Sequence, residues 1–322
     1  MGDPTFSVIV AAYNAADTIG DAIRSALEQD PPPLEVVVGD DESTDDLDRA
    51  VAPFGEAVRV VRIRHGGEGA AKNAAAGAAR GDFIAFLDAD DSFLPGRLAA
   101  LGALARARPD ADILTTDAYL VYRDRRLGRC YGPGHAFADV DQRTAILRTN
   151  FILGLSAVRR TRFLEVGGFD PGVAYTVDWE LWMRLILSGS RAAFIDEPLA
   201  EYRLHASSMS ARRADMSRGR LDSLARVERR GGLSVEELRV LEETRRAEEA
   251  RLLREELRSA LAAGSARDAR RAALRVLRAP RQSVRTRLKA LASSLAPGPA
   301  ARRIRSENEQ TFVTVGDRRL PR

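Results

Sequence analysis

Apolar residues fall into two periods along the first third of the chain. Phe6–Ala12, Leu34–Gly39, Val58–Ile63 and Phe83–Asp88 are short apolar runs of strand character. Phe83 to Leu87 is apolar without a break, the pattern of a strand covered on both faces. Between these runs, Thr18–Glu28, Asp45–Ala52 and Glu68–Ala79 read as helices rich in Ala, Asp and Arg. The alternation predicts a parallel sheet with right-handed crossovers, an α/β domain. Three prolines from Pro31 separate the first helix from the second strand, Pro95 sits at the first turn of another helix, and Ile113–Tyr122 reads as a further strand.

Beyond about residue 125 the order is less regular. Gln142–Arg148 reads as a helix, Phe151–Val158 as a strand or buried segment, and Trp179–Leu187 as an amphipathic helix ended by Gly189. Ala192–Ile195 and Leu199–Arg203 read as two short strands. After residue 211 the texture changes to Glu, Arg, Leu and Ala. Val235–Ala263, Ala266–Leu277 and Val284–Leu295 are expected helices, and the stretch past Pro297 is expected to lack order.

Charge changes this picture most at the end of the chain. The net charge of the 322 residues is only +4, yet Arg270 to Arg305 holds eleven Arg or Lys and no Asp or Glu. The remainder is therefore mildly acidic. Cys130 is the only cysteine, which excludes an intramolecular disulfide and a cysteine-rich metal site. No run approaches the roughly 18 uncharged apolar residues of a membrane span, and Phe6–Ala12 reads as a strand rather than a signal peptide. A cytoplasmic protein is the expectation.

Candidate chemistry gathers at the strand ends, where ligands bind in open α/β sheets. The fourth run ends in Asp88, Asp90 and Asp91. Oxygen ligands at that spacing suit Mg²⁺ or Mn²⁺, which commonly brings a diphosphate with it; the alternative is a solvated acidic turn. The second run ends in Asp40 and Asp41, which can bond a nucleobase or ribose, while Ser43 or Asp45 can cap the next helix. The first run ends in Ala12, Tyr13 and Asn14. Gly66, Gly67 and Gly69 allow close backbone approach, and Lys72 lies one turn into the next helix. The spacing is neither a Walker loop nor the dinucleotide fingerprint, which disfavours a nicotinamide enzyme.

Seven segments in register resemble the family 2 inverting glycosyltransferases: Ser7–Asn14, Val37–Asp45, Ala71–Asn73, Phe86–Asp91, Val166–Asp170, Val177–Arg184 and Tyr202–Ser210. The resemblance covers about residues 5 to 212. It implies a GT-A nucleotide-diphospho-sugar transferase domain with a mostly parallel sheet over 1–212; outside the resemblance, composition and spacing read as an α-helical extension over 213–300 and a disordered tail over 301–322. It further implies a nucleoside against Ala12, Tyr13, Asn14 and Asp40 or Asp41, Lys72 near the base and diphosphate, and Asp88 near ribose or sugar. Asp90 would hold the cation, with His205 near the diphosphate or metal, and Trp179 and Arg203 would line the substrate site. Asp178 would be the general base, although its position alone also suits the N-cap of a helix. The implied reaction is metal-dependent transfer from a nucleotide-sugar donor, UDP foremost with dTDP and GDP open. The acceptor is a hydroxyl on a glycan or lipid-linked intermediate, in polysaccharide or glycoconjugate assembly. A non-catalytic sugar-nucleotide-binding or scaffold relative is the alternative.

Four residues depart from the family pattern: Lys72 stands for the more frequent Arg, Pro171 follows Asp170 where an acidic residue is frequent, and two lie at the end of the second run. Glu42 stands where Gly is usual, and Gly39 replaces an apolar residue; a positive φ at Glu42 would cost about 1 kcal/mol. The basic C-terminal stretch is read either as a solvated helical face or as a surface for anionic lipid, with Leu274, Val276 and Leu277, then Leu288, Leu291 and Leu295, as its apolar side. Nucleic acid is disfavoured, because aromatics are absent there. The Glu/Arg-rich helix before it offers a surface for a homodimer.

Overall fold

The computed structural model describes residues 2–123, 125–132, 135–204, 213–279, 283–295, 298 and 300, and the backbone alone of 312–315 and 318–321. Strands β1 (Phe6–Ala12), β2 (Glu35–Asp40), β3 (Val58–Arg62) and β4 (Phe83–Asp88) form the parallel core of a nine-stranded sheet. Its order is β3-β2-β1-β4, continuing through β8 (Ala157–Arg159), β6 (Ile113–Tyr122), β9 (Ala192–Arg203) and β5 (Ser92–Phe93), with β7 (Arg125–Arg129) beside β6. The chain moves outward from β1 to β3 and then returns to place β4 on the other side of β1. That reversal opens a crevice at the carboxyl ends of β1 and β4.

The two-residue period of the strands divides the core. Val8, Val10, Val36, Val38, Ala85 and Leu87 pack against α1 (Ile19–Leu27), α2 (Leu47–Val51) and α4 (Arg97–Ala107). Ile9, Val37, Ile84 and Phe86 face the other way. They pack against α3 (Glu68–Ala78), α5 (Gln142–Arg148), α6 (Arg160–Glu165) and α7 (Val177–Leu187). Asp88 continues the second set, so its side chain emerges on the α3 and α7 side.

The helical extension comprises α8 (Arg213–Arg230), α9 (Val235–Ala262), α10 (Ala266–Arg278) and α11 (Val284–Leu295). Leu224 and Val227 of α8 and Val240 and Leu241 of α9 join the same core as α7. Ion pairs reinforce the seam. Arg226 and Arg230 reach Asp170, Arg230 reaches the buried Glu180, and Arg143 of α5 holds Glu237 of α9. The last turns of α9 instead form a small second core with α10 and α11. Among the described residues, no helix is long and apolar enough to cross a membrane.

Several local expectations need correction. Asp45 does not cap α2; its carboxylate accepts the Ala16 N–H at 2.8 Å and ties the first loop to the second. Ala192–Arg203 is one strand, because its ladder to β6 slips past Asp196 and Glu197 at Pro198, which has no N–H to donate. Of Phe151–Val158 only the end joins the sheet, and the rest is buried coil. α8 lies within the expected helical extension but matches none of the segments read as helices, because arginines crowd its few apolar positions. In the stretch expected to lack order, Phe312–Val315 (β10) pairs antiparallel with Arg318–Pro321 (β11).

Both departures at the end of β2 have structural reasons. A Cβ on Gly39 would lie 2.2 Å from the Ala71 carbonyl oxygen, so glycine is what lets α3 seat on the sheet. Glu42 does adopt positive φ (62°), and its carboxylate accepts the His65 N–H at 3.1 Å. Gly39→Ala should therefore destabilise the fold by about 3 kcal/mol, read by urea denaturation, because the obstructing atom is backbone. An unchanged midpoint would show that α3 does not need this close approach.

Candidate active site

The crevice collects side chains from both halves of the chain. In the ladders Ala12 lies opposite Asp40 and Ala11 opposite Asp88, so one strand end sits between two acidic ones. Asp40 is buried; its Oδ1 accepts the Ser43 N–H at 2.9 Å and its Oδ2 accepts Arg62 Nε at 2.7 Å. Burial works against its ionised form, but the Ser43 and Arg62 hydrogen bonds outweigh that and hold the carboxyl below its usual range. Asp41 is also buried and accepts the Gly66 and Gly67 N–H groups at 2.7 and 2.9 Å. Asn14, at φ 50°, donates its N–H to Ser43 Oγ and accepts the Thr44 N–H. These three residues build the loops of the crevice. Tyr13 is half exposed there, with its ring 4.6 Å from that of His65.

Lys72 lies away from the open crevice. Its ammonium is buried between Glu68, at 2.5 Å, and Asp88, at 2.8 Å, beside the rings of Phe86 and Phe169. Burial opposes its charge, yet the carboxylates of Asp88 and Glu68 more than offset that and hold the lysine above its usual range. Burial pushes Glu68 up, Lys72 opposes, and Asp88 and Asp178 add to the rise.

The turn after β4 brings Asp90 and Asp91 beside Asp88. Asp91 Oδ1 accepts the Arg203 N–H at 2.7 Å, which pins the end of β9 to the turn. Its Oδ2 is buried without a protein partner. Burial, then the charges of Asp88 and Asp90, push the Asp91 carboxyl well above its usual range. The oxygen donors of Asp88 and Asp90 are of the type that suits a hard cation that keeps waters and shares substrate phosphates. Among the described residues no group of three His, Cys, Asp or Glu side chains is arranged so that it could hold a metal ion. His205 lies outside the described residues.

Asp178 arrives from the second half of the chain. It lies in the first turn of α7, one residue past the start, and the N-cap position is Thr176. Its Oδ2 accepts Asn150 Nδ2 at 2.9 Å, and Gly154 stands close by. Burial pushes its carboxyl up; the Trp179 N–H, Lys72 and Asn150 pull it back, and Asp88 adds to the rise. Trp179 is buried, with its indole N–H donated to the Ile146 carbonyl at 2.7 Å.

Asp88, Asp178 and Trp179 line one cavity of about 660 Å³. Its far wall is helical extension: Arg220 of α8, and Glu243, Thr244, Glu248 and Arg251 of α9. Arg220 pairs with Glu248 Oε1 at 3.2 Å, and Glu248 Oε2 is buried without a protein partner. The sequence carries little signal for most of these contributors. Glu68 alone is legible, as a carboxylate four residues before a lysine on one helix face.

Residues 7–160 match the family model described as Glycosyl transferase family 2. Over 213 residues the chain is 30% identical to the putative teichuronic acid biosynthesis glycosyltransferase TuaG of Bacillus subtilis, covering 65% of this chain and 82% of that one. The chain belongs to glycosyl transferase family 2. It is also 36% identical over 215 residues to the succinoglycan biosynthesis protein ExoO of Rhizobium meliloti, covering 63% of this chain and 61% of that relative's length. Two solved structures place this family 2 chain in the GT-A fold. S. aureus TarS 1–349 in complex with UDP-GlcNAc superposes with TM-score 0.60 at 19% identity, over 99% of this chain and 96% of that one. The mannosyltransferase PcManGT from Pyrobaculum calidifontis, in complex with GDP-Man and Mn²⁺, gives 0.61 at 22% over 96% and 85%.

The Lys72 cluster gives a testable consequence. Lys72→Met leaves two carboxylates facing each other and should cost about 3 kcal/mol in urea unfolding at neutral pH. The cost should shrink as pH falls and Glu68, whose carboxyl is already pushed up, takes a proton. A pH-independent loss would show that packing, and not charge, is what Lys72 supplies.

Proposed function

We propose that this chain transfers a sugar from a nucleotide-diphosphate donor, with UDP as the nucleotide, to an acceptor hydroxyl with inversion at the anomeric carbon. The reading is supported above all by one observation. Asp88, at the end of β4, and Asp178, from the distant α7, line a single cavity roomy enough for a hexose. The polysaccharide-assembly names of the relatives and the UDP-GlcNAc and GDP-Man complexes of the structural neighbours support the same class of reaction.

Each residue then has a task. The exposed Tyr13 ring and its partner His65 flank the nucleoside, on loops held by Asn14, Asp40 and Asp41. Lys72 does not touch the donor; it orients Asp88 toward the sugar. Asp90, with Asp88 and Asp91 beside it, would hold Mg²⁺ or Mn²⁺, which supplies positive charge for the departing diphosphate. Arg203 closes this side through its backbone bond to Asp91. On the opposite side Asp178 takes the proton from the attacking hydroxyl as the new bond forms, and Asn150 fixes its orientation. The raised basicity that burial gives Asp178 suits a proton acceptor. The acceptor sugar lies against the α8 and α9 wall, beside the paired Arg220 and Glu248.

Asp178→Asn tests this reading against a scaffold that only binds nucleotide. Transfer should fall by about 10² to 10⁴, while the Kd for UDP with Mn²⁺, measured by calorimetry, stays within a few-fold of the parent. In the parent, activity should drop as pH falls through the raised Asp178 pKa, so the acid limb of kcat/KM lies above the ordinary carboxylate range. Full turnover in the variant would remove Asp178 from the chemistry. Absence of turnover in the parent, across donors that bind, would favour the scaffold.

A further inference from the structure

The last described α-helix of the extension has its hydrophobicity on the wrong side for a soluble protein. In α11 the residues turned inward are small, Ala290 and Ser293. Its large aliphatic residues recur at 284, 288, 291 and 295, one helical stripe. At about 100° per residue this stripe is centred about 200° around the axis from Ala290 and Ser293. Val284, Leu288, Leu291 and Leu295 are accordingly 74%, 61%, 44% and 73% exposed. Arg285 and Arg287 flank the stripe on its two sides, and both are exposed.

The neighbouring helix adds to the same chemistry. Ala269, Ala272, Ala273 and Val276 of α10 are buried against Leu257 and Leu261 of α9. The opposite side of α10 carries Arg271, Leu274 and Arg278, all exposed. The pair is tied together by Arg270 Nε donating to the Ser294 carbonyl and Arg287 donating to that of Ala279, both at 3.2 Å. Along the sequence from Arg270 to Arg305 there are eleven basic residues and no acidic one.

We propose that α10 and α11 dock this protein on an anionic lipid bilayer, with the Val284–Leu295 stripe entering the acyl boundary and the arginines at the phosphate level. An aliphatic stripe flanked by basic residues is the signature of a helix lying in the membrane interface. Basic residues near an anionic surface add to the attraction one by one, and Lys or Arg stems can lie along apolar surface while their charges stay in water. A second copy of the chain fits less well. A two-fold contact through this stripe would set the strongly basic helices of both copies against each other. The docking stands apart from the transferase reading, but the two meet on α9. Its Glu243–Arg251 segment walls the cavity and its Leu257 and Leu261 seat α10, so one continuous helix joins catalytic wall and membrane surface. A lipid-linked acceptor would then reach the cavity from the bilayer; that consequence rests on the proposed reaction.

The test is co-sedimentation of the full chain with vesicles of phosphatidylcholine alone or of phosphatidylcholine with phosphatidylglycerol. The protein should bind the anionic vesicles, be released by raised salt, and bind the neutral ones at least tenfold more weakly. Leu288→Glu with Leu291→Glu should weaken anionic-vesicle binding at least tenfold, without changing the far-ultraviolet circular dichroism spectrum or the Kd for UDP. Arg285→Gln with Arg287→Gln should weaken it several-fold and is a milder second probe of the same surface. Equal binding by parent and both variants would overturn the proposal. So would failure of the parent to bind either vesicle, whether it is monomeric or forms a dimer that the Leu288→Glu, Leu291→Glu variant breaks in light scattering. Loss of UDP binding in the parent would count against the transferase reading and leave the vesicle result to be judged by itself.

Discussion

The ammonium of Lys72 is the constraint around which the site is arranged. A buried cation is tolerated only when carboxylates and hydrogen bonds replace the water it has lost. Here Glu68 and Asp88 do so, one from the same helix and one from the end of a strand. Because both partners are needed, the rotation of α3 relative to β4 is fixed to within a hydrogen bond. The close seat of α3 on Gly39 makes that approach sterically accessible. Asp88 is thereby held in one orientation before any ligand arrives. The same cation lowers the energy of negative charge nearby, and its influence extends to Asp91 and Asp178.

The second half of the chain is positioned by a different set of buried charges. Glu180 of α7 accepts Arg184 and Arg230, and Arg184 also donates to the carbonyls of Val166 and Gly168. This network locks α7 to the turn before it and to α8. It therefore sets both the height of Asp178 above the sheet and the distance of the α8–α9 wall from it. The extension is thus joined to the α/β layer through a shared core and shared ion pairs at its near end. Only its far end, with α10 and α11, stands on a core of its own.

What was legible in the sequence follows from the range of the interactions involved. β1, β4, β6, α5 and α11 lie where the apolar periods put them, because strand alternation and helical spacing are local signals. The acidic strand ends were also legible, since Asp40, Asp88 and Asp90 follow directly from apolar runs. The role of Lys72 was not. Its position suggested a reach toward phosphate, and only the packing of α3 on the sheet turns it inward toward Asp88. Asn150 and Glu248 have no local pattern that marks them, because their partners lie 28 residues away in sequence. α8 was hidden for a related reason. Its arginines serve Asp170, Glu180 and Glu248, which lie far along the chain, so a segment rich in charge reads as solvated when it is docked.

The charge balance of the cleft bears on the role of a divalent ion in the proposed reaction. Glu68, Asp88, Asp90, Asp91 and Asp178 gather near the crevice, and the lysine among them is already shared by two of these carboxylates. A nucleoside diphosphate brings further negative charge to the same place. At a separation of about 4 Å and an effective dielectric of about 20, like unit charges repel by about 4 kcal/mol, too much for the aromatic and loop contacts of the nucleoside alone to offset. Protons on the raised carboxyls of Asp91 and Glu68 relieve part of this, but a proton there offers no charge to the departing oxygen. In the proposed reaction a divalent cation held at Asp90 would relieve the rest, and Asp178, which comes from the other half of the chain, would be left to act as the base. If the proposed reaction holds, it is this separation of acidic groups between the two sides that would let one cleft bind a polyanion and still deprotonate an alcohol.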